Sequence, residues 1–229
     1  MRRLFAPALA TLLPLTALPV FASDAPLNTV RIGYADIQFN TDSGDMTSMP
    51  GMTPEHVQAT VRDTGTLALI YERRLAGPWS LVLQTGAPPV ISFDGAGAAQ
   101  PLGKVGSARA WFPAVLIAYN FEVFGVQPYI ALGVNYTWFS EEKMTAAYNT
   151  AFGGTSSTSR LDDSFGAVAK VGVEIPLTDN WSAGFSYSRY WIDTTATIKT
   201  QTPGVGEVKR KIDVEADPDV YSFTVGYHF

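Results

Sequence analysis

Histidine, serine and carboxylate could build a hydrolytic or metal site, and this chain offers few usable combinations of them. Its two histidines are His56 and His228. His56 sits beside Glu55 in a polar stretch and reads as a solvated loop residue. His228 is the penultimate residue. Neither Ser92 to Asp94 nor Asp162-Asp163-Ser164 forms a recognisable nucleophile–base–acid triad with either histidine. Asp42, Asp45, Asp162 and Asp163 could hold a divalent cation at a surface, but their spacing is not that of an EF-hand. The chain has no cysteine, so disulfides, thiolate catalysis and Cys-based metal sites are excluded. The glycine-rich stretches lack the lysine of a phosphate loop. The expectation is a protein that is not an enzyme and needs no cofactor or metal. Three charges remain to be explained: Glu72, Lys170 and Glu174, each on the small or polar face of a strand. A buried charge needs a partner, so Lys170 is expected to meet one of the two glutamates.

The elements that carry these charges are strands. The terminal stretch YSFTVGYHF places Tyr221, Phe223, Val225, Tyr227 and Phe229 on one face, and Ser222, Thr224, Gly226 and His228 on the other. That is period two, the strand period. The pattern recurs along the chain, though imperfectly over Thr29 to Phe39. It is clear over Thr64 to Arg74, from Trp79 to Gln84, Ser107 to Phe121, Val126 to Trp138, Ser164 to Ile175, from Trp181 onward, and from Lys209 to Phe229 with a break near Pro218. Eight strands result. Short connections follow the second, fourth and sixth: Leu75 to Pro78, Glu122 to Gly125 and Pro176 to Asn180. Long ones follow the first, third and fifth: Asn40 to Gln58, Gly86 to Gly106 and Phe139 to Asp163. The Pro203-Gly204-Val205-Gly206 segment caps a long hairpin between the seventh and eighth. Sorting loops by length in this way is the habit of an outer-membrane barrel, with short periplasmic turns and long extracellular loops.

The first residues read as an export signal. Arg2 and Arg3 precede an apolar run from Leu4 to Phe21, and Val20-Phe21-Ala22 is a small-x-small cleavage pattern. The expected division is a signal peptide over 1–22 and one barrel domain over 23–229. Without Arg2 and Arg3 the 16 basic residues fall to 14, against 21 acidic. Nucleic acid, which needs a basic footprint, is therefore not an expected partner. Past the signal there is no run of 18 apolar residues, so a membrane would have to be crossed by a closed barrel, since open sheet edges are not tolerated in lipid. The aromatics form two groups. Trp79, Phe121, Trp181 and Phe229 lie at the short-turn end. Trp138, Phe139, Tyr190 and Trp191 lie at the other, near Trp111. Two belts at headgroup level explain this; aromatic packing in a secreted soluble sandwich is the alternative.

Several segments resemble the OmpW family of small outer-membrane barrels. They are VRIGYADIQF near the start of the expected mature chain, GKVGSARAWFPAVLIAYNF (103–121), VQPYIALGVNYTWF (126–139), LTDNWSAGFSYSRYWIDTTATI (177–198) and the final VGYHF. The Pro113 to Leu116 strand and the Gln127-Pro128-Tyr129 strand with Gly133, Asn135 and Tyr136 are the more specific of these. The resemblance implies an all-β, eight-stranded antiparallel transmembrane barrel in a Gram-negative outer membrane. It implies contact with outer-membrane lipid and lipopolysaccharide. It also implies help to small hydrophobic molecules crossing that membrane, with a sideways exit through the wall. The chain departs from the family in its Gly/Ala/Pro-rich second outer loop and its acidic sixth-strand interior.

An eight-stranded barrel is narrow, nearly filled by side chains or able to hold one small ligand. The expected channel lining is Ala68, Ile70, Val82, Phe112, Ala114, Leu116 and Ala118, with Glu72, Lys170 and Glu174 as interior ion-pairing residues. Pro113 removes one ladder donor. This is either a simple bulge or a lateral opening. The loop holding Met46, Met49 and Met52, with the stretch Gly86 to Gly106, could form an apolar mouth. Two functions stay open: passage of small hydrophobic solutes, or a structural or surface-interaction barrel whose loops form the binding surface. A monomer is expected in either case.

Overall fold

The computed structural model describes residues 27–229; the expected signal over 1–22 lies outside them. The strands are β1 (Asn28–Phe39), β2 (Asp42–Ser43), β3 (Val57–Val61), β4 (Thr64–Arg74), β5 (Trp79–Gly86), β6 (Val90–Gly97), β7 (Lys104–Trp111), β8 (Ala114–Asn120), β9 (Gln127–Met144), β10 (Ser156–Leu161), β11 (Ser164–Pro176), β12 (Trp181–Tyr190), β13 (Asp193–Thr202), β14 (Gly206–Glu215) and β15 (Pro218–His228). One short helix, α1 (Ala146–Ala151), and a 3-10 turn at Gln100–Leu102 complete the list.

These segments make eight staves of one closed antiparallel barrel. The ring runs β1-β4-β5-β8-β9-β11-β12-β15 and returns to β1. Closure is explicit: β11 pairs with β9 on one side and β12 on the other. At the rim, Asn28 and Phe229 exchange both backbone hydrogen bonds, at 3.0 and 2.9 Å. No strand edge is left unpaired around the lower ring, which is the condition for standing in hydrocarbon.

Most staves break once near mid-height and continue upward. The breaks fall at 40–41, 62–63, 87–89, 112–113, 162–163, 191–192 and 216–217. Above them the wall divides into β3-β6-β7 with the upper part of β9, and β10-β13-β14-β2. At one junction between these sheets, the Thr41 and Ser43 hydroxyls accept from the Val61 and Ala59 amides, both at 3.1 Å. Hence much of Gly86 to Gly106 and of Phe139 to Asp163, expected as open connections, is strand. The physical reason is the solvent. Above the bilayer the outer face is bathed in water and carries polar residues, so the strong apolar-out signal that marks a lipid-facing strand fades.

The lower outer face is apolar throughout: Ile32, Leu69, Val115, Leu132, Val171, Phe185 and Phe223 are all exposed. Aromatic pairs mark both borders. At the short-turn end Trp79 meets Tyr119 at 5.0 Å and Trp181 meets Tyr227 at 5.0 Å. At the other end Trp111 stacks on Trp138 at 5.6 Å and Tyr187 packs on Tyr221 at 5.3 Å. Two rings assigned to that outer belt are inside instead. Tyr190 is fully buried and Phe139 packs into an interior cluster. Strand parity explains both. The outward residues of β9 are even-numbered and those of β12 odd-numbered, so Phe139 and Tyr190 fall on the inner face.

Candidate functional site: an apolar chamber above a charged plug

The inward residues divide the barrel into three storeys. The lowest is a network of charges. Arg31 on β1 reaches both glutamates, Glu72 on β4 at 2.7 Å and Glu174 on β11 through its other nitrogen. Glu174 also accepts from the Ser182 hydroxyl and lies 3.2 Å from His228 Nε2. His228 Nδ1 is 2.8 Å from Thr29 Oγ1, so the last strand is tied to the first through side chains as well as backbone. All three charged residues are buried. The expected pairing of Lys170 with a glutamate is replaced. Arg31 is their cation, and its planar fork can serve two carboxylates at once. The sequence does not single out Arg31, because alternation over Thr29 to Phe39 is too imperfect to assign its faces. Lys170, only 3% exposed, donates instead to Gln84 Oε1 at 2.6 Å. Gln84 Nε2 in turn donates to the Tyr190 hydroxyl at 2.6 Å.

The middle storey is packed solid. Ala68, Ile70, Val82, Ala114, Leu116 and Ala118 all point inward and all are buried in one cluster with Ile37, Val168 and Tyr190. Of the seven expected channel-lining residues only Phe112 lines the chamber above; the other six lie in this packed cluster. The reason is the small bore, which eight strands fill with ordinary side chains. Phe112 is half-buried, packs against the clusters above and below it, and meets Tyr190 edge-on at 5.9 Å.

The upper storey is hollow. A chamber of about 90 Å³, opening into a wider space shared with solvent, rises from Phe112 and Ile37. Its walls include Val61, Ile91, Phe93, Phe139, Leu161 and Ile212. Most of them come from strand segments not recognised in the sequence. The usable signal was a short alternation, Ile91 with Phe93, and Val57, Ala59 and Val61. The roof is α1 with Tyr148 and Phe152, whose rings lie 4.5 Å apart, joined by Met46 and Met144. Thr145 caps α1 by accepting from the Tyr148 amide. Burial raises the pKa of the Tyr148 phenol above its usual value, so it stays neutral.

The wall is interrupted at the chamber floor. Below, Gln84 pairs with Ala114; above, the Ala110 amide donates to the Pro89 carbonyl at 3.1 Å. Among the described residues no backbone bond joins residues 85–88 to 111–113 between these points. Pro113 lies at this level, but its own missing donor faces the other neighbour. The Pro113 carbonyl accepts from the Tyr136 amide of β9 at 3.1 Å, and in an antiparallel ladder a residue's amide and carbonyl share a side. The gap therefore faces Phe112, across from Gly86 and the donor-less Pro88. It opens beside Trp111, at the height of the outer aromatic belt.

The profile of the OmpW family matches residues 29–229. The chain belongs to the OmpW family. Outer membrane protein W of Vibrio cholerae is 30% identical over 223 residues, covering 96% of this chain and 97% of that one. The crystal structure of OprG from Pseudomonas aeruginosa superposes with a TM-score of 0.79 at 29% identity, over 90% of this chain and 96% of that one. The solution structure of the Escherichia coli outer membrane protein W shares the fold, with a TM-score of 0.54 at 22% identity over 90% and 98% of the two chains. As an OmpW-family barrel the protein belongs to the Gram-negative outer membrane, in contact with its lipid. Among the described residues, no three His, Cys, Asp or Glu side chains gather as metal ligands.

Proposed function

We propose that the barrel passes small hydrophobic molecules from the outside into the outer membrane, through the chamber and out sideways at Phe112. The observation that carries this reading is the vertical order of the interior. An apolar chamber, roofed by α1 and partly open to solvent, ends on a packed core and then on buried charges. An apolar solute gains by leaving water for such a chamber. It would lose by displacing the Arg31 pairs, which need one another. The remaining direction is lateral, past Phe112 and Gly86, where no ladder bond has to break. On this reading Pro88 and Pro89 keep the seam short of donors, and residues 1–22 are removed on export to leave 23–229 as the barrel.

The test is uptake of a fluorescent aromatic hydrocarbon by vesicles whose outer leaflet carries lipopolysaccharide. Phe112→Arg puts a charge at the exit and is expected to cut protein-dependent uptake by about tenfold or more, given the cost of moving an apolar solute past a fixed charge. Phe223→Leu, on the lipid side of β15, is expected to leave uptake unchanged. Equal uptake by wild type and Phe112→Arg would defeat the lateral route.

A further inference from the structure

One cation in the roof has no anion. Arg210 on β14 points inward and is only 2% exposed. Its Nε donates to Thr53 Oγ1 at 3.1 Å, and its Nη2 donates to the Met52 carbonyl at 2.8 Å. Its guanidinium lies 4.7 Å from the centre of the Phe152 ring. Its Nη1 has no partner, and among the described residues no carboxylate pairs with it. Tyr148, the nearby phenol, is neutral. A buried guanidinium held by two neutral hydroxyls (Thr53 and the adjacent Tyr148 phenol), a carbonyl and a ring is short of a counter-charge.

The surroundings indicate what would supply it. Arg210 borders an open recess of about 400 Å³ between the Gly51–Pro54 loop and the end of α1. Thr202 lines the same recess, and its hydroxyl is also buried without a partner. Phe152 borders both this recess and the apolar chamber, so the two share a wall. One residue below Arg210 on the inner face, Ile212 already lines the chamber.

We propose that Arg210 and Thr202 form an anion site at the roof. It seats the carboxylate of a single-chain amphiphile, whose hydrocarbon tail runs past Phe152 into the chamber. This rests on the chamber being a binding space and extends it: the preferred solute has an anionic head. Arg210 Nη1 and the Thr202 hydroxyl donate to the carboxylate, and Met52 and Thr53 hold the guanidinium in place.

Decanoate and decanol have the same chain and differ in the head. Their affinities are measured by equilibrium dialysis on the full barrel held in amphipol, with correct folding checked by heat-dependent gel mobility. Wild type is expected to bind decanoate about tenfold or more tightly than decanol, the worth of one charge-assisted pair. Arg210→Gln is expected to erase that preference and leave decanol affinity unchanged. Arg210→Lys, the substitution that keeps the charge, is expected to retain part of it and serves if Arg210→Gln does not fold. Equal binding of the two probes by wild type, or a preference that survives Arg210→Gln, overturns the anion site while leaving the chamber intact. Failure of both probes to bind overturns the chamber reading and the anion site together. Lipid A tested in place of decanoate distinguishes a lipid phosphate. If it binds more tightly and in an Arg210-dependent way, the single-chain amphiphile is the wrong occupant.

Discussion

Replacing Arg31 by Met tests the plug most directly. Among the described residues Arg31 is the only cation within 4.0 Å of Glu72, and both are buried. Glu174 is less dependent on it, since it keeps the Ser182 hydroxyl and His228. The cost of Arg31→Met therefore falls mainly on an orphaned Glu72. Removing one partner of a buried pair costs about 3–5 kcal/mol. With a urea slope of about 2 kcal/mol per molar, that lowers the unfolding midpoint by about 2 M. The assay is reversible urea unfolding in lipid vesicles, followed by tryptophan fluorescence. The same vesicles report ion conductance, which should rise as water reaches the unpaired carboxylate. Adding Glu72→Gln and Glu174→Gln to Arg31→Met removes the stranded charges and should recover most of the loss, because neutral residues of similar volume need no counter-ion. A midpoint shift under about 0.5 M for the single variant, or a triple variant no more stable than the single, would refute the account of the plug as an interdependent charge cluster.

Gln84→Leu strands the Lys170 ammonium and should cost about 3 kcal/mol in the same titration, whereas adding Lys170→Met should recover most of that loss and leave only the cost of the unpaired Tyr190 hydroxyl. Leu132→Arg places a charge on the lipid face at a residue 71% exposed, and should cost about 2–4 kcal/mol in vesicles, with little effect if the protein is held in a polar detergent layer. Gly133→Val should prevent closure of the barrel, seen as loss of the heat-dependent gel shift. A side chain there would run into the Val115 carbonyl and come within 2.6 Å of the Leu116 Cα, both backbone of the neighbouring strand.

The lipid-facing half of the molecule was legible without a structure because lipid imposes a strict rule. Each spanning residue faces either hydrocarbon or the interior, and the alternation of Ile130, Leu132, Val134 and Tyr136 with Ala131, Gly133 and Asn135 records that choice residue by residue. Hence Thr64–Arg74 was located to the residue and the inward set from Ala68 to Ala118 was correct in direction. The chain also contained the parity that sends Phe139 and Tyr190 inside. Three things depended on folding. Which cation meets Glu72 and Glu174 depends on β1 lying beside β4 and being separated from β11 by two strands, β15 and β12, and no local pattern encodes that distance between Arg31 and Glu174. Whether the inward apolar residues line a channel or fill it depends on the bore, set by ring closure rather than by any strand. The chamber and its roof cation Arg210 arise where long connections fold up as strands in water, and there the alternating code that lipid enforces is relaxed.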